Sequence, residues 1–193
     1  MVSSNNTVWV VTGGNRGIGL GFVKALLVRP SVTVIATVRN DQARTALEDA
    51  TIDLFKGDGA ILSIVRLNFT TALSPDQIRK LFDIDHVDVL INNAAASFKS
   101  YPILEIQTGD LRSAFEINTI GPLTNEGLVA FALHPGFVNT EMGESAATKW
   151  GFPHAMLEGV EEAVKGSLGI IDRATRENVS GKFVSYKGQE LPW

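Results

Sequence analysis

Three glycines and two arginines carry the most legible chemistry in this sequence. Gly13, Gly17 and Gly19 lie within the eight residues Thr12 to Gly19, reading Thr-Gly-Gly-Asn-Arg-Gly-Ile-Gly, and Arg16 sits among them. Without a Cβ, Gly13 can take the positive φ of a tight exit from a strand, while Gly17 and Gly19 let a phosphate group and a neighbouring strand come close to the backbone. A helix opening at this point turns its first-turn N–H groups toward an anion. The chemistry is therefore recognition of a dinucleotide pyrophosphate, with Gly13, Asn15, Arg16, Gly17, Ile18 and Gly19 around it. The second arginine, Arg39, lies where such a site chooses between nucleotides: an acid there binds a ribose 2′-OH, whereas a base accepts a 2′-phosphate. Together Arg16 and Arg39 offer two guanidinium groups to a phosphate dianion, which predicts NADP(H) rather than NAD.

Positioning these residues takes alternating strands and helices. Val8-Trp9-Val10-Val11 reads as a buried parallel strand and Leu20 to Leu27 as the helix after the turn. Arg29-Pro30 stops that helix, and Ser31 to Val38, a β-branched run, delivers Arg39. Asp41 to Ala50 reads as a covering helix, Ile61 to Leu67 as a third strand ending near Asn68, and Ser74-Pro75-Asp76-Gln77 as a capped start for a helix running to Phe82. Val87 to Ile91 then forms a fourth strand, leading into Asn92-Asn93-Ala94. Farther on, the pattern gives a helix over Gly109 to Ile120, a strand over Gly127 to Leu133, a helix over Val160 to Ile171 and a last strand over Gly181 to Tyr186. The prediction is an α/β fold, a doubly wound parallel sheet of the Rossmann type, as a single domain over residues 1–193.

The spacing Thr-Gly-x-x-x-Gly-x-Gly at Thr12 to Gly19 resembles the cofactor loop of the short-chain dehydrogenase/reductase family. That resemblance extends to Asn92-Asn93-Ala94-Ala95, similar to a family Asn-Asn-Ala-Gly motif, and to Phe-Glu-x-Asn-Thr-x-Gly-Pro at Phe115 to Pro122. It implies that Asn68 meets the adenine in place of the usual aspartate, and that Asn93 and Ala94 pass beside the nicotinamide ribose. It further implies that Asn118 is the catalytic asparagine, holding a water in a proton relay. Pro135, Gly136, Val138 and Thr140 match the Pro-Gly loop below the nicotinamide, with Thr140 placed for the carboxamide or phosphates. The activity implied is NADPH-dependent reduction of a small-molecule ketone or aldehyde. Ala132 to Val138 and Gly188 to Trp193 look like fungal polyketide ketoreductases of the norsolorinic acid type.

The resemblance breaks after Thr124. Between the asparagine helix and the Pro-Gly loop the family carries a catalytic serine strand and a helix bearing Tyr-x-x-x-Lys, roughly 40 to 60 residues at mean element lengths. Here Thr124-Asn125-Glu126 runs straight into Gly127 to Leu133. Neither Tyr101 nor Tyr186 has a lysine four residues later, and Ser145-x-x-x-Lys149 lacks the phenol. A phenol with a lysine-depressed pKa is the group that exchanges a proton with the carbonyl oxygen as hydride moves. The fold is thus expected to lack one internal strand and parts of two helices. Either a segment belongs between Thr124 and Asn125, or this is a shortened homologue: a nucleotide-binding regulatory or interaction protein without redox activity, or a non-redox isomerase or cyclase. A complete chain of this length would leave the edge of the strand at Val87 and an apolar face to be covered, by an altered homo-oligomer.

Composition narrows the remaining classes. The chain has 193 residues, 45% hydrophobic and 20% charged, and a formal charge of −4, so a general nucleic-acid binder is not expected. No apolar run reaches membrane-spanning length. Without cysteine there are no disulfides and no thiolate chemistry, and nothing before Val8 resembles a signal peptide, so a cytoplasmic setting is expected. His86, His134 and His154 lack metal-ligand spacing, and no metal site is expected.

Overall fold

The computed structural model describes residues 6–68, 74–82, 84–95 and 129–192. The chain forms two compact units, Met1–Gly121 and Pro122–Trp193. In the first, strands β1 (Thr7–Val11), β2 (Val32–Val38), β3 (Ile61–Arg66) and β4 (Val89–Ile91) build one sheet of order β3-β2-β1-β4. Every pairing in it is parallel. Helices α1 (Gly17–Leu27), α2 (Asp41–Thr51) and α3 (Pro75–Leu81) connect successive strands. This is the doubly wound Rossmann arrangement, and the order reverses at β1, where a ligand crevice is expected.

Each element follows from its residues. All seven residues of β2 are buried, as a β-branched run covered on both faces of a parallel sheet must be. Val8 and Val10 of β1, two residues apart and so on one face, pack with Ile35 and Val65, and Phe82 and Ile84 close over them. Helix α1 buries Phe22, Val23, Leu26 and Leu27. The start of α3 is the expected capping box: Ser74 accepts from the Gln77 amide, and the Gln77 side chain accepts from the Ser74 amide. β4 pairs with β1 on one side and has no second partner strand on the other among the described residues, and Val87 and Leu90 are each 46% exposed.

The second unit departs from expectation at its first strand. A strand over Gly127 to Leu133 was expected, able to continue a right-handed unit from Val87 to Ile91. Instead β5 is confined to Ala132–His134 and pairs in parallel with β6 (Phe183–Ser185), in a three-stranded sheet β5-β6-β7 whose antiparallel member is β7 (Glu190–Leu191). The reason lies in the partner backbone. Gly181 has a φ of +76°, and its amide reaches the Ala130 carbonyl at 2.8 Å, so a regular ladder starts only with Ala132 N–H on the Lys182 carbonyl at 3.0 Å. Residues 127 and 128 lie outside the described residues. Helix α4 (Glu141–Trp150), not foreseen, begins at a Thr140 cap and ends at Gly151 with φ +71°. Helix α5 (Val160–Ile171) has the expected bounds. No described helix is long and apolar enough to cross a membrane.

Candidate nucleotide-binding site

The turn from β1 to α1 is held from two sides. Thr12 Oγ1 accepts the amides of Asn93 at 3.0 Å and Ala94 at 2.9 Å. In return the Asn93 side-chain amide donates to the Thr12 carbonyl at 2.8 Å and the Gly13 carbonyl at 3.2 Å. From β2, the Thr37 hydroxyl accepts the Gly13 amide at 3.3 Å and the Thr37 carbonyl accepts the Gly14 amide at 3.1 Å. The turn is thereby fixed before any ligand arrives.

Two glycines are required by geometry. Gly13 has a φ of +69°, the left-handed region that a side chain disfavours. At Gly19 a Cβ would collide with the Gly13 carbonyl oxygen and the Asn93 side-chain nitrogen. Gly17 departs slightly from its expected role: it too has a positive φ, +55°, so it serves the turn as well as close approach. The first turn of α1 has no side-chain cap hydrogen bond and no acidic residue. Its donors are left for an anion, which is what a pyrophosphate needs. Residues Asn15, Arg16 and Ile18 border this turn, with Arg16 exposed at the N-cap position.

Arg39 follows β2 directly, is exposed, and has no carboxylate partner among the described residues. Asn40 is committed elsewhere: its side chain caps α2 by accepting the Ala43 amide at 2.9 Å. Asn68 is exposed just beyond β3. Arg39 and Asn68 thus stand exposed just beyond β2 and β3. Asn118, the expected catalytic residue, and the junction at Thr124 and Asn125 lie outside the described residues.

Pro135, Gly136, Val138 and Thr140 belong to the second unit. Gly136 takes a φ of +90° and donates its amide to His134 Nδ1 at 2.9 Å. Thr140 Oγ1 caps α4 by accepting the Gly143 amide at 3.2 Å. Glu158 runs beside this loop: its amide donates to the Phe137 carbonyl and its carbonyl accepts from Asn139, both at 2.8 Å. Its carboxylate meets Lys187 Nζ at 2.8 Å, while its second oxygen and the neighbouring Tyr186 hydroxyl are buried without a hydrogen bond of good geometry. Burial pushes the Glu158 carboxyl up, but Lys187 and Tyr186 outweigh it and hold the group below its ordinary value. Burial, then Glu158, raises the Tyr186 phenol, and Glu158 raises the Lys187 ammonium. Tyr186 is therefore a poor acid, and its raised phenol is the reverse of what proton exchange at a carbonyl requires.

Sequence reasoning missed two supports. Thr37 looked like one more β-branched strand residue, and Gly14 was not distinguished from its neighbours, although a Cβ there would lie 2.8 Å from Ala36 Cβ. The signal available was a buried hydroxyl at the end of a central strand, which must find a partner.

Comparison with known proteins agrees with this geometry. The model of the short chain dehydrogenase family matches residues 7–131. Norsolorinic acid ketoreductase of Aspergillus parasiticus is 29% identical over 252 positions, with 97% of this chain and 91% of that protein covered. Its counterpart in Dothistroma septosporum is 26% identical over 255 positions, covering 98% and 94%. Those 255 positions exceed the 193 residues of this chain by 62, so the relative carries that many or more residues inside the matched span that have no counterpart here. Among solved structures, the NADPH-bound carbonyl reductase from chicken fatty liver superposes with a TM-score of 0.74 at 22% identity, covering 98% of this chain and 100% of that one. The carbonyl reductase Sniffer of Drosophila melanogaster gives 0.72 at 21%, covering 97% and 99%. A family match over well more than half of the chain, on a parallel sheet whose first strand leaves through a glycine turn, places this protein in the short-chain dehydrogenase family.

Proposed function

We propose that the chain binds NADP(H) through Gly13, Asn15, Arg16, Gly17, Ile18, Gly19, Arg39, Asn68, Asn93 and Ala94, with Pro135, Gly136, Val138 and Thr140 serving the nicotinamide end. The carrying observation is the uncapped, acid-free first turn of α1 together with Arg39, exposed after β2 with no carboxylate partner among the described residues. The parent activity is reduction of a small-molecule ketone or aldehyde, the bound dinucleotide supplying the hydride. Relatives named as ketoreductases and a carbonyl reductase solved with NADPH support that reading. In this chain the glycine turn fixes the pyrophosphate, the guanidinium groups offset the 2′-phosphate, and Asn118 holds a relay water. A cytoplasmic setting and an altered homo-oligomer, covering the edge of β4, complete the proposal.

The second reading is a nucleotide-binding homologue without redox turnover. It is favoured by the absence of any tyrosine with a lysine four residues later. Titration with NADPH and NADH tests the binding common to both readings. Tighter binding of NADPH is expected; equal affinities, or no binding of either, would count against it.

A further inference from the structure

We propose that Arg66 is a positioning residue for nucleotide selectivity, holding the Asp41 carboxylate so that it does not oppose a 2′-phosphate at Arg39; this rests on the NADP(H) reading above. In the sheet register, Val38, the residue before Arg39, lies opposite Arg66. From there Arg66 Nη1 reaches both oxygens of Asp41, at 3.4 and 3.3 Å. Asp41 opens α2 only two residues after Arg39, and Asn40 between them is occupied with its cap. An unheld acid at this point would repel a phosphate dianion and offer an acceptor to a ribose 2′-OH, the opposite of what Arg39 selects.

The neighbouring charges are already assigned. Arg44, one turn into α2, pairs with Glu48 at 3.0 Å and donates to the Ile64 carbonyl at 3.4 Å. Arg44 and Arg66 are thus each held by a carboxylate, while Arg39 has none among the described residues. Arg66 therefore acts through Asp41, and Arg39 is left to meet the phosphate. Since the pair is exposed, at 64% and 82%, the effect is screened and modest.

The test is a set of dissociation constants for NADPH and NADH, read by fluorescence titration on the full chain at low and at physiological salt. Wild type, Arg66→Gln, Asp41→Asn and the double variant are compared, with melting temperatures as a control for folding. Arg66→Gln is expected to cut the preference for NADPH about two- to fivefold, more at low salt, without a change in melting temperature. In the Asp41→Asn background the same substitution is expected to have little effect. An unchanged preference in Arg66→Gln, or an equal loss in both backgrounds, overturns the proposal. A wild type that binds no nucleotide, or binds the two equally, overturns the nucleotide reading and this proposal together; a wild-type preference that Arg66→Gln retains overturns this proposal alone.

Discussion

Thr12 and Asn93, 81 residues apart, each hold the other's backbone: the threonine hydroxyl accepts the Asn93 amide, and the asparagine side chain donates to the Thr12 carbonyl. The lock joins the end of β1 to the end of β4 at the point where the phosphate turn begins. Thr12 is buried and Asn93 and Ala94 are half-buried, so water replaces a lost partner only in part. Thr12→Val should cost about 1 to 3 kcal/mol of stability, because it leaves the Asn93 and Ala94 amides unpaired. Asn93→Ala should cost a similar amount and weaken NADPH binding as the turn loosens. Urea unfolding and nucleotide titration check both; a neutral Thr12→Val would show that the lock is incidental.

Gly19→Ala should be the most damaging single methyl in the phosphate turn. The added carbon meets the Gly13 carbonyl and the Asn93 amide, and neither can retreat without opening the turn. A destabilisation of about 2 to 3 kcal/mol is expected, with at least about tenfold weaker NADPH binding. Gly13→Ala, at φ +69°, should cost about 1 to 2 kcal/mol through backbone strain. Thermal melts of the two variants decide the ranking.

Reversal of charge at Arg39 should separate the two nucleotides. Arg39→Asp is expected to weaken NADPH about 10- to 100-fold while leaving NADH nearly unchanged, as loss of a charged hydrogen bond implies. Equal losses for both would place Arg39 away from the 2′-phosphate.

The 193-residue chain is expected to consume no NADPH with any member of a ketone and aldehyde panel, for want of the phenol and amine that exchange the proton. Turnover by this chain would defeat that expectation. Intact mass spectrometry of the natural protein decides what lies at Thr124 and Asn125. A mass near 20.8 kDa supports the shortened homologue, and one larger by roughly 50 residues supports a segment inserted there.

Glu158 should make the second unit sensitive to acid. Its folded pKa lies below the ordinary value, so its contribution is fully present above the unfolded carboxyl range and is lost as pH falls through the folded value. Glu158→Gln should therefore lower the melting temperature at neutral pH, and the difference from wild type should shrink below about pH 4. A difference independent of pH would show that shape rather than charge holds the Pro135 to Thr140 loop.

Strands β1 to β4, helices α1 to α3, the glycine turn and the Ser74 capping box were legible in the sequence because each rests on local rules, whereas the helix expected over Gly109 to Ile120 lies outside the described residues. Burial on both faces demands a continuous apolar run, as in β2, and a left-handed turn demands glycine, as at Gly13. The absence of a Tyr-x-x-x-Lys pattern from these 193 residues was legible too, since a missing motif needs no coordinates. Contacts between distant residues were not. No local pattern announces that Thr12 and Asn93 would meet, that Thr37 would take the Gly13 amide, or that Gly181 would delay β5 and give it β6 as a partner. Those contacts arise only when the strands align in register, because a hydrogen bond depends on distance and direction in space and the chain's order fixes neither.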